Sequence, residues 1–191
     1  AVTSVRKALA MGAASAVHVA DERLRGADLG LTAEVLAATI ARGPFDLVIA
    51  GNQSTDGAGG VLPTMIAERL GVASLTSLVS VELTETSVRG ARRTDTGTAT
   101  VSAALPAVIS ITEALPDARF PNFKGIMAAK KKPLEEVSLD SLGIDAERVD
   151  TPRAIMVAVA ERPPRAGGVK ITDEGDAGAQ LATFLMKNQL A

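Results

Sequence analysis

Residues Phe45 to Leu70 read FDLVIAGNQSTDGAGGVLPTMIAERL. Phe45-Asp-Leu-Val-Ile-Ala50 is an apolar run of strand length, rich in β-formers, and Gly51 ends it. From Asn52 to Gly60 the chain holds three glycines, two hydroxyls, two amides and one carboxylate. Pro63 then stands where proline fits best, in the first turn of a helix, where no backbone N–H is needed. Leu62, Met65, Ile66 and Leu70 share one helical face, and Gly71 supplies the stop. Strand, glycine-rich loop and helix in this order make the unit of a parallel α/β sheet, with Phe45–Ala50 as a central strand.

The loop invites an anion. Glycines let backbone approach a ligand closely. The free N–H groups of a first helical turn, with the helix dipole, favour a phosphate. Asn52, Gln53, Ser54 and Thr55 can hydrogen-bond a ribose or a base edge. Spacing alone equally accommodates a polar loop that binds nothing. No Gly-Lys-Ser/Thr follows, so this is no Walker loop, and the glycines do not form a GxGxxG fingerprint.

Composition narrows the classes. The 191 residues suffice for one domain with a real core. Hydrophobic content is 47% without an apolar run of transmembrane length, so no membrane insertion is expected. A net charge of −2 argues against a general nucleic-acid binder. The absence of cysteine removes disulfides, thiolate nucleophiles and zinc–thiolate sites, and a single histidine, His18, reads as structural. No metal site is expected. The cytoplasm is the expected compartment. Aromatic content is only 2%, four phenylalanines, so a flavin would have to find its stacking rings elsewhere.

Upstream of the loop, Ala1 to Met11 patterns as a helix stopped by Gly12, and Ala16–Val19 as a strand. Leu31 to Arg42 is an amphipathic helix with Thr32 as a possible cap. Downstream, Val72 to Leu78 is strand-like. Val79, Val81 and Leu83 then alternate with polar residues, as do Ala99, Val101 and Ala103, and Asp95-Thr-Gly97 signals a turn. Alternation with short turns predicts an antiparallel extension on the parallel layer. Ala107–Ile111 is a buried strand. Thr112 to Asn122 is a loop with two prolines and two exposed-looking apolar residues, Leu115 and Phe120. Phe123 to Lys132 reads as a helix whose three lysines complement its C-terminal dipole. Leu134–Ile144 is a short strand and turn, and Thr151–Ala160 a strand or extended arm. Pro163-Pro164 and Gly167-Gly168 mark a linker to an amphipathic helix over Asp176–Leu190, which packs on its own domain or on a second chain. The organisation is therefore 1–162, a nucleotide-binding α/β domain, and 163–191, linker and arm helix.

No nucleophile–base–acid set is apparent and no catalytic residue is assigned. Asp56 and Asp95 are single carboxylates, and Glu135-Glu136 and Asp173-Glu174 read as surface. That suits a protein that positions a cofactor and docks a partner.

GNQSTDGAGG followed by a helix resembles the nucleotide loop of the electron transfer flavoprotein (ETF) β subunit. VRKALAMGAASAVHV (Val5–Val19) and LPAVISITEALPDARFPNFKGIMAAKKKP (Leu105–Pro133) resemble the same family, in its order and near its spacing. The resemblance implies a mostly parallel sheet flanked by helices, of the adenine-nucleotide α-hydrolase-like or Rossmann-like kind, with an antiparallel extension and a C-terminal helical arm. It implies a heterodimeric electron carrier between acyl-CoA-type dehydrogenases and a quinone oxidoreductase, in the mitochondrial matrix if eukaryotic. FAD would be held mainly by the ETF α subunit. AMP would lie against Gly51, Asn52, Gln53, Ser54, Thr55, Asp56, Gly57, Ala58, Gly59, Gly60, Val61 and Leu62. Many relatives carry carboxylate, cysteine and asparagine where this chain has Gly57 to Gly60, so backbone contacts would replace side-chain ones. The Thr112–Asn122 loop resembles the family's recognition loop. By that likeness Leu115 is the anchor inserted into the dehydrogenase, with Phe120 beside it and Lys130, Lys131 and Lys132 as a steering patch.

Family members begin with a further strand–helix–strand region, and opening on a helix is odd for a parallel sheet. The expectation is that an N-terminal portion is lacking, a naturally short chain being the alternative. Three other functions stay open. Bifurcating relatives hold a second FAD in place of AMP. A stand-alone adenine-nucleotide sensor of the universal-stress-protein type shares the fold, and a nucleotide hydrolase is disfavoured by the missing catalytic set.

Overall fold

The computed structural model describes residues 2–55, 57–148, 153–155, 157–165, 167–168 and 170–190. The chain divides into two compact units, Ala1–Met156 and Val157–Ala191. The first carries α1 (Val2–Met11), β1 (Ala16–Val19), α2 (Leu29–Ile40), β2 (Leu47–Gly51), α3 (Leu62–Leu70) and β3 (Ala73–Leu83). It continues with β4 (Ser87–Thr94), β5 (Gly97–Ala104), β6 (Ala107–Ile111), α4 (Phe123–Ala129) and β7 (Leu134–Val137). The second carries α5 (Ala177–Lys187).

The architecture is α/β, with helices against a mixed sheet. Its five-stranded sheet runs β2-β6-β3-β4-β5. The first three strands are mutually parallel and the last two antiparallel, as the alternating pattern predicts. β1 and β7 pair in parallel as a separate two-stranded sheet. β2 corrects the sequence reading. It lies at the sheet edge, bonded only to β6 among the described residues, and Ile49 is 58% exposed. An apolar run reports burial and length, not the number of neighbours a strand has.

The strand flanked on both sides is β6, AVISI. Its residues split between two faces, as the two-residue period of a strand requires. Ala107 and Ile109 pack with Leu75, Leu78 and Val88. Val108 faces the other way, with Ala33 of α2 and with Ile66 and Ala67 of α3. Each large side chain so buried contributes about 1.5–3 kcal/mol. A third cluster joins Leu31 and Val35 of α2 to Leu139 and Ile144.

The sequence reading breaks β3 near Leu78, but the strand runs on to Leu83. Its first half pairs with β6 and its second with β4, and the register shifts at Leu75/Leu78 and again at Leu78/Ser80. Bulges bend a strand and raise its twist, which carries β3 out of the parallel layer into the hairpin. Gly90 sits opposite the second shift. A Cβ there would run into the Ser80 carbonyl oxygen and the Leu78 side chain.

Helix ends also differ from expectation. α2 begins two residues earlier than predicted and is capped by Asp28, whose Oδ1 accepts from the Leu31 N–H at 2.7 Å. Thr32 instead donates its hydroxyl to the Asp28 carbonyl. The other oxygen of Asp28 accepts from the Ala154 N–H at 2.8 Å, and Arg153 donates to Glu34 at 3.0 Å. These bonds tie the stretch around Arg153 to the start of α2. Of the strand or extended arm expected over 151–160, no strand forms among the described residues, where Ile155, Val157 and Val159 are exposed; Thr151, Pro152 and Met156 lie outside them. α5 leaves Leu181 and Phe184 exposed. Among the described residues no helix is long and apolar enough to cross a membrane.

Candidate functional site

The glycine-rich loop leaves the C-terminal end of β2, the edge at which open α/β sheets bind ligands. Gly51 closes the strand, and Leu62 and Pro63 open α3. Between them the chain turns sharply. The Ala58 N–H donates to the Ser54 carbonyl at 3.0 Å, and Ala58 and Gly60 adopt left-handed φ values of 49° and 64°. Gln53, Ser54, Thr55, Gly57, Ala58 and Gly59 are exposed, and Asp56 lies outside the described residues. No side chain caps α3: Val61 stands at the cap position without a side-chain bond. Pro63 has no N–H to offer, so Leu62 and Thr64 supply the donors of the first turn. Uncapped backbone donors at a helix start behind a glycine-rich loop have the chemistry of a phosphate cradle. Gly59 places this cradle beside α2, since a Cβ there would lie 3.4 Å from Leu29 Cδ1.

Asn52 is half-buried, and its Oδ1 accepts from the Ser77 hydroxyl at 2.9 Å. Ser77 lies in the first register shift of β3, with φ 58°, and its N–H donates to Ser110 Oγ at 2.8 Å. Ser110 is fully buried at the end of β6. Neither serine stands out in the sequence. The one available signal was a lone hydroxyl, Ser110, inside the apolar run of β6.

Of the predicted docking residues, Phe120 and Lys130 line a concavity together with residues of α1 and α4. Leu115 is half-buried, whereas Phe120 is 92% exposed. On α4, Phe123, Ile126 and Met127 are exposed as well. Asn122 caps that helix by accepting from the Gly125 N–H at 2.7 Å. Gly125 lets the two helices touch, because a Cβ there would collide with the Ala10 carbonyl oxygen of α1.

The lysines divide. α4 ends at Ala129, three residues short of the predicted end. Lys130 and Lys131 are exposed. Lys132 turns back and donates to the carbonyls of Leu9 at 2.8 Å and Ala13 at 2.6 Å, at the C-terminal end of α1. Arg6 of α1 answers by donating to the carbonyls of Ala129 at 2.7 Å and Lys132 at 3.0 Å. Each helix thus neutralises the other's C-terminal carbonyls. Lys132 is spent on structure and not on the open surface. A groove of about 880 Å³ runs along this pair, floored by Ala10, Met11 and Ile126 and rimmed by Arg6, Lys7 and Arg119. This groove lies at the α1–α4 pair, whereas the residues of the glycine-rich loop are mostly exposed.

The acidic groups near the strand ends act in structure. Arg23 grips Asp21 at 2.9 and 2.7 Å and reaches Asp140 at 2.9 Å. That bond above all holds the Asp21 carboxyl well below the usual carboxylate range. The Leu31 N–H is the main cause of a lowered pKa at Asp28, followed among the lowering influences by the Ala154 N–H and Arg153. His18 faces Glu136 across β1 and β7 at 3.8 Å. Among the described residues no three carboxylates or histidines gather as metal ligands.

Residues 1–142 match the family model described as the electron transfer flavoprotein domain. The chain is 42% identical over 194 residues to the electron transfer flavoprotein subunit beta of Mycobacterium leprae, covering 100% of this chain and 73% of that protein. The Mycobacterium tuberculosis protein of the same name is 42% identical over 193 residues, with the same coverage. The mouse protein of that name is 33% identical over 180 residues, covering 93% of this chain and 69% of its own length.

Proposed function

The chain belongs to the electron transfer flavoprotein family, and from that premise we propose that it is a β subunit that holds AMP in the loop after β2 and docks dehydrogenases through the face around α4. The single observation that carries the AMP reading is the start of α3. Its first-turn donors have no side-chain cap and stand behind a loop with two left-handed residues, which suits a phosphate. The nucleotide residues are those from Gly51 to Leu62, with Gln53, Ser54 and Thr55 free to meet the sugar or base.

The flavin, held mainly by an α subunit, supplies the electron-accepting chemistry when bound there. This chain's own residues bind, brace and dock. Phe120, Phe123 and Ile126 offer an apolar anchor face to the dehydrogenase, with the half-buried Leu115, in the same loop as Phe120, at the family's anchor position. Lys130 and Lys131 supply positive charge that speeds encounter with an acidic partner. A quinone oxidoreductase receives the electrons, and the compartment is the cytoplasm, or the mitochondrial matrix of a eukaryote.

The test is to denature the purified complex and identify what it releases. One FAD and one AMP per heterodimer is the expected result. Two FAD would replace AMP by a second flavin and make the protein a bifurcating carrier. Release of no second adenine nucleotide, or purification without a flavin-bearing partner, overturns the reading.

A further inference from the structure

We propose that Ser77 is a positioning residue for the nucleotide loop. It fixes the Asn52 carboxamide so that the amide nitrogen of Asn52 offers the bound nucleotide a hydrogen-bond donor. The inference rests on the nucleotide reading of the loop and adds to it a residue outside the loop, 25 positions away in the chain.

Three observations combine. The first is backbone conformation. Ser77 is a non-glycine residue at φ 58°, which costs free energy and persists only where its surroundings over-determine it. They do so here. The Ser77 N–H is tied to the buried Ser110 hydroxyl at 2.8 Å. The Thr76 carbonyl accepts from Arg92 Nε at 2.7 Å. The Leu78 carbonyl accepts from both the backbone N–H and the hydroxyl of Thr112, at 3.0 and 3.2 Å.

The second is what serine adds. Glycine would occupy φ 58° without strain and would keep the N–H bond to Ser110. The hydroxyl is the group that glycine lacks, and it donates to Asn52 Oδ1. A bulge commonly serves to re-aim one side chain beside a site, and this one aims a hydroxyl at the first residue after β2.

The third is what remains of Asn52. With one lone pair of Oδ1 taken by Ser77, the Nδ2 amide, a donor of two protons, is the half of the carboxamide left wholly unpaired. That amide has no protein partner among the described residues. Asn52 sits at the C-terminal end of the parallel strands, where ligands enter. The ligand atom that this amide meets is an acceptor: a ring nitrogen, a sugar oxygen or a phosphate oxygen of the adenine nucleotide.

The test uses the purified heterodimer stripped of AMP, with AMP rebinding followed by calorimetry and stability by urea unfolding. Ser77→Gly relieves the backbone and removes the hydroxyl. It is expected to unfold at the same or a higher urea concentration, yet to bind AMP about three- to ten-fold more weakly. Asn52→Asp keeps an acceptor for Ser77 but loses the donor, and is expected to weaken AMP at least as much. In an Asn52→Ala background, Ser77→Gly should have no further effect on affinity, since the hydroxyl then has nothing to position. A Ser77→Gly protein with unchanged AMP affinity overturns the proposal, as does a further loss in the Asn52→Ala background, which would mark a purely structural role. Wild-type protein that takes up no AMP is a different failure, because it removes the nucleotide reading together with this inference.

Discussion

Replacing Gly125 by alanine tests the helix contact on which the proposed docking face depends. The added methyl would point at the Ala10 carbonyl oxygen of α1, well inside van der Waals contact. To restore ordinary contact at about 3.5–4 Å, α1 and α4 must part by roughly 1–1.5 Å. That opening also stretches the reciprocal caps. Lys132 holds Leu9 and Ala13 at 2.8 and 2.6 Å, and Arg6 holds Ala129 at 2.7 Å. Overpacking of this kind costs about 1–3 kcal/mol. Alanine's better helix propensity returns up to about 1 kcal/mol. The clash is with backbone and cannot be relieved by a side-chain rotation, so the upper part of the overpacking range, about 2–3 kcal/mol, applies; the net loss is about 1–2 kcal/mol, which at ordinary urea sensitivities lowers the unfolding midpoint by about 0.5–1 M. Far-UV circular dichroism in urea measures it. Gly178→Ala in α5 is the control. No atom lies within 4 Å of its would-be Cβ, so that helix should gain about 0.5–1 kcal/mol. A Gly125→Ala midpoint at or above wild type would refute the close approach of the two helices and the face built on it.

The other predictions concern charge and anchoring. Lys132→Gln should cost about 1–2 kcal/mol in urea unfolding, while Lys130→Gln and Lys131→Gln should stay within about 0.5 kcal/mol yet slow association with dehydrogenases at low salt. Equal stability effects at all three positions would contradict the division of roles. The pKa of Asp28 is lowered on folding, so its stabilisation is complete above the unfolded value near 3.9 and is lost as pH falls through the folded one. Asp28→Asn should therefore lose stability at neutral pH and flatten the acid limb of the stability–pH curve below about pH 4; an unchanged slope would show that the carboxylate is not coupled to folding. Phe120→Ala should slow electron transfer from dehydrogenases while leaving flavin content and stability intact, because the ring is 92% exposed. Leu115→Ala should also slow transfer, with a small stability cost from its half-buried site. Unchanged rates with several dehydrogenases would remove this loop from docking.

Local elements were legible wherever the governing residues lie close together in the chain. The apolar run Ala107–Ile111 is β6 to the residue, and Ala16–Val19 is β1. Pro63 and Gly71 bracket α3 as their backbone preferences require, with Gly71 at φ 67°. The glycine-rich loop, the turn near Asp95 and the antiparallel hairpin were read from spacing alone. Burial periodicity and turn chemistry act over a few residues, so a linear reading captures them.

Tertiary structure decided which partner each group found. The edge position of β2 depends on how strands from distant stretches register. Lys132 was read as capping its own helix but caps α1, 123 residues from Leu9. Phe120 and Leu115 look alike in the sequence and differ in exposure in the folded chain, Phe120 at 92% and Leu115 half-buried. The bond from Ser77 to Asn52 exists because β6 and a bulge in β3 bring them together, through a serine 33 residues away. Hydrogen bonds and close contacts fall off within ångströms, and chain separation does not encode those distances; only the folded register does.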